Sequence, residues 1–225
     1  MKAASHSEAI SRKSGISYLP GILWFLAALF LLNMVVIVAA SRMPYFPTDV
    51  VIARAVQSHL AMSVRWAKLI TTTADKPWCF ALLGLAFVAA WEISGWRAAV
   101  ISIPVFFGLW LFGLWLSPII AQPRPSPELI RVAGNPKGYS FPSIFGLVYV
   151  STLGYVGLLA AIRCRGPLRV VLPLLAILAL AAGAIARIVL GAHWPSDLWG
   201  AYLLGLFWIL ALLPVTKSDR PQAGS

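Results

Sequence analysis

The chain has 225 residues, of which 60% are hydrophobic and only 11% are charged, whereas about a quarter of an ordinary soluble domain is charged. This composition excludes a soluble domain and indicates a membrane protein. Its net charge is +11, but the cations stand singly or in small groups between apolar runs, so no nucleic-acid partner is expected. Cys79 and Cys164 lack CxxC spacing, so neither a disulfide framework nor a thiolate metal site is predicted.

Apolar runs define the predicted elements. Residues 1–17 are polar and predict a mobile tail, and the run at about 18–40 is too long for a signal-peptide core and predicts a retained transmembrane helix. Further runs near the ~20 residues that cross a ~30 Å hydrocarbon core lie at about 78–91, 98–121, 144–162, 170–190 and 198–215. The prediction is an all-α, integral membrane six-helix bundle, one domain over 18–215 with a C-terminal tail at 216–225.

The stretch between the first two predicted spans has an amphipathic helical pattern. One face would carry Arg54, Ser58, Arg65 and Lys68, and another would carry Ile52, Val56, Leu60 and Val64. This pattern is typical of a helix that lies along the lipid headgroups. A helix packed over the bundle explains it equally well, so both alternatives stay open.

The predicted orientation depends on the short connection RCRGPLR, which holds Arg163, Arg165 and Arg169 without an acid. Lysines and arginines divide evenly between the two sides, but short basic loops favour the cytoplasm. The termini lie on the same side as this connection if the chain crosses six times. We therefore expect cytoplasmic termini, and an opposite face that looks to the periplasm or exterior.

Two connections on that opposite face concentrate ionisable residues. They read AQPRPSPELIRVAGNPKGYSFPS and ARIVLGAHWPSD. Ionisable groups at the edge of the hydrocarbon are costly unless paired or functional, so one explanation is needed for Arg124, Arg131, Lys137, Arg187, His193 and Asp197. An anionic ligand supplies it, because arginine presents a planar set of donors that matches phosphate oxygens. Ser143, at the predicted start of the fourth helix, adds a hydroxyl at a positive helix end.

His193 and Asp197 are four residues apart, a spacing that places two side chains on one helical face. With a helix that begins near Trp194 and has Pro195 in its first turn, Asp197 would accept a bond from one imidazole nitrogen. The other nitrogen would then be free to attack, and Arg187 at the end of the fifth helix would return to the same point. Attack on phosphorus would give a phosphohistidine that water hydrolyses.

These residues resemble the type 2 phosphatidic acid phosphatases, whose superfamily includes vanadium haloperoxidases and glucose-6-phosphatase-like enzymes. The family motif S-R-x5-H-x3-D is matched by Arg187, His193 and Asp197, with Ala186 in place of serine. The motif K-x6-R-P is matched at Arg124 and Pro125, with Ser117 in place of lysine. The motif P-S-G-H is matched at Pro142 and Ser143, with Ile144 and Phe145 in place of glycine and histidine. The phosphatase-like core would span about residues 76–215.

The resemblance implies a role for each matched residue. His193 would be the nucleophile, Asp197 would orient it, and the phosphate would be held by Arg124, Ser143 and Arg187. In the family, the histidine that Phe145 replaces protonates the leaving group, and the lysine that Ser117 replaces contacts phosphate. Lys137 and Tyr139 are candidates to substitute for part of these roles.

The missing acid favours one substrate class. General acids contribute about 10²- to 10⁴-fold, so their loss disables departure of an alkoxide. A phosphate monoester, whose second pKa is near 6, leaves with little protonation. The expected substrate is therefore a lipid phosphate or, preferably, a lipid diphosphate such as undecaprenyl diphosphate, in the bacterial inner membrane. No cofactor or metal is expected, since a histidine supplies the nucleophile and arginines supply the charge.

A second hypothesis is a relative that has lost turnover and binds, senses or moves phospholipid headgroups. Phe145 and Ser117 are the substitutions that favour it. A purely structural membrane scaffold would leave the spacing of His193 and Asp197 unexplained.

Overall fold

The computed structural model describes residues 2–60 and 64–216, with side chains from residue 21 onwards. In this part of the chain all regular structure is helical: α1 (Lys2–Arg42), α2 (Asp49–Leu60), α3 (Arg65–Thr72), α4 (Trp78–Ser94), α5 (Trp96–Ile120), α6 (Ile144–Tyr149), α7 (Tyr155–Arg163), α8 (Leu168–Val189) and α9 (Pro195–Leu212). A π-helical turn, Val150–Gly154, joins α6 to α7 in one continuous helix. Residues 2–17 of the predicted N-terminal tail belong to α1, and of the predicted C-terminal tail, 216–225, the described residues include only Thr216.

Within the described residues, five stretches are long and apolar enough to cross a membrane: Gly21–Arg42, Trp96–Ile120, Ile144–Arg163, Leu168–Val189 and Pro195–Thr216. The sixth apolar helix, α4, has 17 residues, fewer than the ~20 that a bilayer core requires. The chain is an integral membrane protein. The described residues therefore hold five spans without α4 and six apolar helices with it.

The helix that continues from α6 through the π turn to α7 is the centre of the bundle. In the most apolar 18-residue window of its span Ile144–Arg163, 67% of the residues are buried, against 6% in the corresponding window of the span Leu168–Val189. Helices α5 and α9 pack against α6, and α4 and α8 pack against α7. Gly205 of α9 permits one close approach, because a Cβ atom there would lie 2.2 Å from a methyl group of Val150. The peripheral helices therefore present their apolar faces to lipid.

The segment between α1 and α4 differs from the single amphipathic helix that the pattern predicts. It forms two helices, and α2 packs on α8 and α9 while α3 packs on α8, so the packed alternative is correct. The buried face of α2 consists of Asp49, Ala53 and Gln57, whereas Ile52 and Leu60 are exposed. The polar residues are buried because they bind main-chain groups of other segments, which a hydropathy pattern does not reveal.

Candidate active site

The two predicted site-bearing connections meet at one end of the bundle. The N–H of Ala133 donates to the carbonyl of Leu190 at 2.8 Å. The indole N–H of Trp194 donates to the carbonyl of Pro123 at 3.2 Å. These bonds join the α5–α6 connection to the α8–α9 connection, and they confirm that both stretches share one surface.

His193 and Asp197 form the predicted pair at the start of α9. Trp194 is the N-cap residue and Pro195 the first helical residue, as predicted. Nδ1 of His193 lies 3.2 Å from Oδ2 of Asp197, and the same oxygen accepts the N–H of Trp194 at 2.7 Å. The hydroxyl of Ser140 donates to this oxygen as well. The carboxylate is therefore held by three donors, and it fixes the plane of the imidazole.

Arg124 approaches the other side of the imidazole. Its Nη1 atom lies 3.3 Å from Nε2 of His193. Because a guanidinium only donates hydrogen bonds, this contact favours the tautomer with a lone pair on Nε2 and the proton on Nδ1. Two main-chain carbonyls hold Arg124 in place, since Nη1 donates to Ala192 at 2.5 Å and Nε to Lys137 at 3.0 Å.

The environment of His193 disfavours its protonated form. The side chain is 3% exposed. Burial lowers the pKa of His193 well below its ordinary value of 6.5, and the charges of Arg187 and Arg124 lower it further. Burial also lowers the pKa of Arg124, and the charge of Asp197 opposes that shift. A neutral imidazole beside two cations is the form that attacks an electrophile or accepts a proton.

Arg187 lies on the last turn of α8, over the ring of Phe145. Its Cζ atom is 5.5 Å from the ring centroid, within the range of a cation–π contact. Phe145 stacks on Tyr149 with ring centroids 4.3 Å apart. Gly183 makes room for this stack, because a Cβ atom there would lie 2.7 Å from the Phe145 ring. Within the described residues, Nε of Arg187 is buried without a hydrogen-bond partner.

Ser143 is buried and is the N-cap of α6, as predicted. Its Oγ accepts the N–H of Gly146 at 3.3 Å, and its own N–H donates to the carbonyl of Asp197 at 3.3 Å. Ser143 therefore ties the start of α6 to the turn that contains the histidine–aspartate pair.

The other candidates lie further from the imidazole. Lys137 contacts the site through its main-chain carbonyl, which accepts a hydrogen bond from Arg124. The side chains of Lys137 and Tyr139 are exposed. Arg131 binds the carbonyl of Gln57 on α2. Ser117 is half-buried on α5, one helical turn before its C-terminus.

Sequence reasoning missed two residues that hold the pair. Ser140 lies in the same loop as Arg124 and Lys137, but a lone serine there carries no distinguishing signal. Asp49 binds Ser196 of the α9 turn from 147 positions away. Among the described residues, no group of three or more His, Cys, Asp or Glu side chains is placed to hold a metal ion.

Comparison with known proteins places this arrangement in a family. The PAP2 superfamily model matches residues 105–220, a range that contains both connections, and the chain belongs to this superfamily. No match is found among curated protein sequences. The fold is similar to the crystal structure of a transmembrane PAP2-type phosphatidylglycerolphosphate phosphatase from Bacillus subtilis, with a TM-score of 0.66 and 17% identity over 84% of this chain and 94% of that chain. The family match assigns the superfamily, and the structural similarity supports a transmembrane helical fold of the PAP2 type.

Proposed function

We propose that this protein is a membrane lipid phosphatase that hydrolyses a lipid phosphate or, preferably, a polyprenyl or other lipid diphosphate through a phosphohistidine on His193. One observation carries the proposal: Nδ1 of His193 lies 3.2 Å from Asp197 while Nε2 faces the guanidinium of Arg124 at 3.3 Å. The imidazole is oriented and neutral, and it lies beside the positively charged guanidinium of Arg124. This arrangement suits attack of the imidazole on a phosphate that Arg124 holds.

In the proposed reaction, the lone pair on Nε2 of His193 forms a bond to the terminal phosphorus. The bond from that phosphorus to the bridging oxygen breaks, and its electrons leave with the lipid monophosphate. Water then attacks the phosphohistidine, which releases inorganic phosphate and restores the imidazole. Arg124, Arg187 and the N-terminal groups around Ser143 would hold the phosphate oxygens, whose charge favours arginine and a helix N-terminus.

The preference for a diphosphate follows from Phe145. Its ring lies under Arg187 where the family has a histidine that acts as the acid, and a phenyl ring donates no proton. A monoester leaving group departs as an anion, because its second pKa is near 6, whereas an alkoxide needs a proton. Ser117 likewise supplies no charge, which leaves two arginines to bind the phosphate.

The proposed setting is the bacterial inner membrane. We propose that α4 crosses the membrane with the five longer spans, so that both termini lie on the cytoplasmic side. The basic connection between α7 and α8 supports this orientation, since short basic loops stay in the cytoplasm. The site would then face the periplasm.

The test is phosphate release from labelled polyprenyl diphosphate by purified protein in detergent without divalent metal. The expected result is release by the wild-type protein and background release by the His193→Ala variant. Arg97→Gln, in the first turn of α5 at the end of that helix away from the α5–α6 connection, is the control and should retain activity. Background release by the wild-type protein would reject the enzyme.

The second candidate function is that of a superfamily member that binds or moves phospholipid headgroups without hydrolysing them. The ring of Phe145 in place of an acid, together with the 3% exposure of His193, favours it. It predicts binding of lipid diphosphate to vesicle-embedded protein without phosphate release, and that binding would depend on Arg124 but not on His193.

A further inference from the structure

Asp49, the first residue of α2, is a buried carboxylate that the proposed chemistry does not use. It is 1% exposed. Its Oδ1 atom accepts the N–H of Ser196 at 2.9 Å, and Oδ2 accepts the hydroxyl of Ser196 at 2.6 Å and the N–H of Phe46 at 2.7 Å. Carboxylates are almost never fully buried unless they are paired, and here three donors from two segments replace water.

Ser196 occupies a decisive place in the chain, between His193 and Asp197 in the first turn of α9. First-turn N–H groups have no acceptor within their own helix, and Asp49 supplies one from another helix. A negative charge is also stabilising at a helix N-terminus. The next residue after Ser196 is Asp197, whose carboxylate fixes the imidazole of His193, so the position of Ser196 determines where that carboxylate lies.

Helix α2 is itself tied to both site-bearing connections. Gln57, two turns after Asp49, donates to the carbonyls of Arg131 at 2.8 Å and Ile188 at 3.0 Å, and its Oε1 accepts the N–H of Arg131 at 3.1 Å. Arg54 donates to the carbonyl of Leu129 at 2.9 Å. The helix that carries Asp49 is thus fixed to the segments that carry Arg124 and Arg187, and Asp49 is its link to the turn that carries His193.

We propose that Asp49 is a positioning residue that holds the first turn of α9, so that Asp197 keeps His193 aligned for attack. This inference rests on the proposed function in that His193 is the nucleophile. Asp49 acts through Ser196, and it contacts neither phosphate-binding arginine. Its loss should therefore reduce turnover while phosphate binding stays intact.

Asp49→Asn is the most direct variant, because the amide has the same shape but only one accepting oxygen. The amide nitrogen cannot accept a hydrogen bond, so at least one of the three accepted bonds, from Ser196 or Phe46, is lost together with the negative charge at the start of α9. We expect kcat on lipid diphosphate to fall about 10- to 100-fold, the range that follows from small misplacement of a reacting group. KM and the inhibition constant of inorganic phosphate should change less than about twofold. Arg54→Gln, one turn along the same helix, removes a bond to the α5–α6 connection only and should keep wild-type kcat.

A second readout does not depend on turnover. Diethyl pyrocarbonate modifies accessible imidazoles, so buried His193 should react slowly and exposed His59 should react fast in the same wild-type sample. In Asp49→Asn, modification of His193 measured by mass spectrometry should accelerate several-fold relative to His59, and in Arg54→Gln it should not. If the wild-type protein releases no phosphate, the proposed function fails, yet this measurement still tests whether Asp49 holds the turn.

Unchanged kcat and unchanged modification of His193 in folded Asp49→Asn would overturn the proposal. Equal losses in Asp49→Asn and Arg54→Gln would also overturn it, because they would indicate general loosening of α2. Should Asp49→Asn not fold, Ser196→Ala removes only the hydroxyl bond and should lower kcat several-fold. Wild-type kcat in Ser196→Ala would then reject the role of this contact.

Discussion

The Nη1 atom of Arg124 lies 3.3 Å from Nε2 of His193, on the side of the imidazole opposite Asp197. The arrangement gives the ring one polar partner on each nitrogen, with opposite hydrogen-bond roles. A phosphate that binds Arg124 is thereby brought to the nitrogen that holds the lone pair.

Replacement of Arg124 by lysine keeps the positive charge but removes the planar set of donors that also binds two main-chain carbonyls. We expect kcat/KM for lipid diphosphate to fall about 10²- to 10³-fold, as for loss of one preorganised charge-stabilising donor. Phosphate release and thermal unfolding of the detergent-purified variant check this. A folded variant with activity within about twofold of wild type would contradict the role of Arg124.

The fall of kcat/KM on the acidic side of its pH profile should lie well below pH 6.5. Burial and the two arginines lower the pKa of His193, so the ring stays neutral and nucleophilic at a pH at which a free histidine is protonated. Activity is lost only as the pH falls through the lowered pKa. The measurement is kcat/KM from pH 4 to 8. A fall of kcat/KM that is centred at or above pH 6.5 would contradict a lowered pKa of His193 in this site.

The lowered pKa of His193 also makes the free energy of unfolding depend on pH. Below about pH 6.5, His193 is protonated in the unfolded chain but stays neutral in the folded protein. Proton binding therefore favours the unfolded state. His193 therefore makes the protein less stable as the pH falls from about 6.5 towards the lowered pKa. Thermal unfolding of wild type and His193→Gln between pH 7 and 5 measures this, and the variant should lose less stability than wild type.

Phe145→His restores the side chain that the family uses as an acid. The ratio of activity on phosphatidic acid to activity on polyprenyl diphosphate should rise by about tenfold or more, the lower end of general acid catalysis with some loss of fit. The imidazole must fit the space beside Gly183 and Tyr149 that the phenyl ring fills. Phe145→Leu controls for altered packing, and an equal rise in its ratio would argue against acid catalysis.

Ser140→Ala removes one of the three donors to the carboxylate of Asp197. The other two donors remain, and we expect kcat to fall about 10- to 150-fold, which corresponds to about 1.5–3 kcal/mol for one bond to a charged group. KM should be unchanged because Ser140 contacts neither arginine. Ser126→Ala, in the same loop away from the carboxylate, is the control and should behave as wild type.

Much of the fold follows from the sequence, because lipid-facing helices must be apolar along their whole length. The start of α9 at Pro195 and the N-cap at Ser143 follow from local residue chemistry. The burial of Asp49 does not, since the partner that compensates its charge is 147 positions away. Gln57 was likewise unpredictable, because it binds main-chain carbonyls that any residue offers. Local pattern therefore identified the His193–Asp197 pair, but not the residues that hold it.

The central claim is that His193 is phosphorylated during turnover. Its most direct test is rapid acid-free quenching of the protein with excess labelled lipid diphosphate, followed by mass spectrometry of the peptide that contains residue 193. The account predicts a phosphoryl group on His193 that disappears on the timescale of turnover and is absent from His193→Ala. Phosphate release with no phosphoryl group on His193, or with one on another residue, would contradict it.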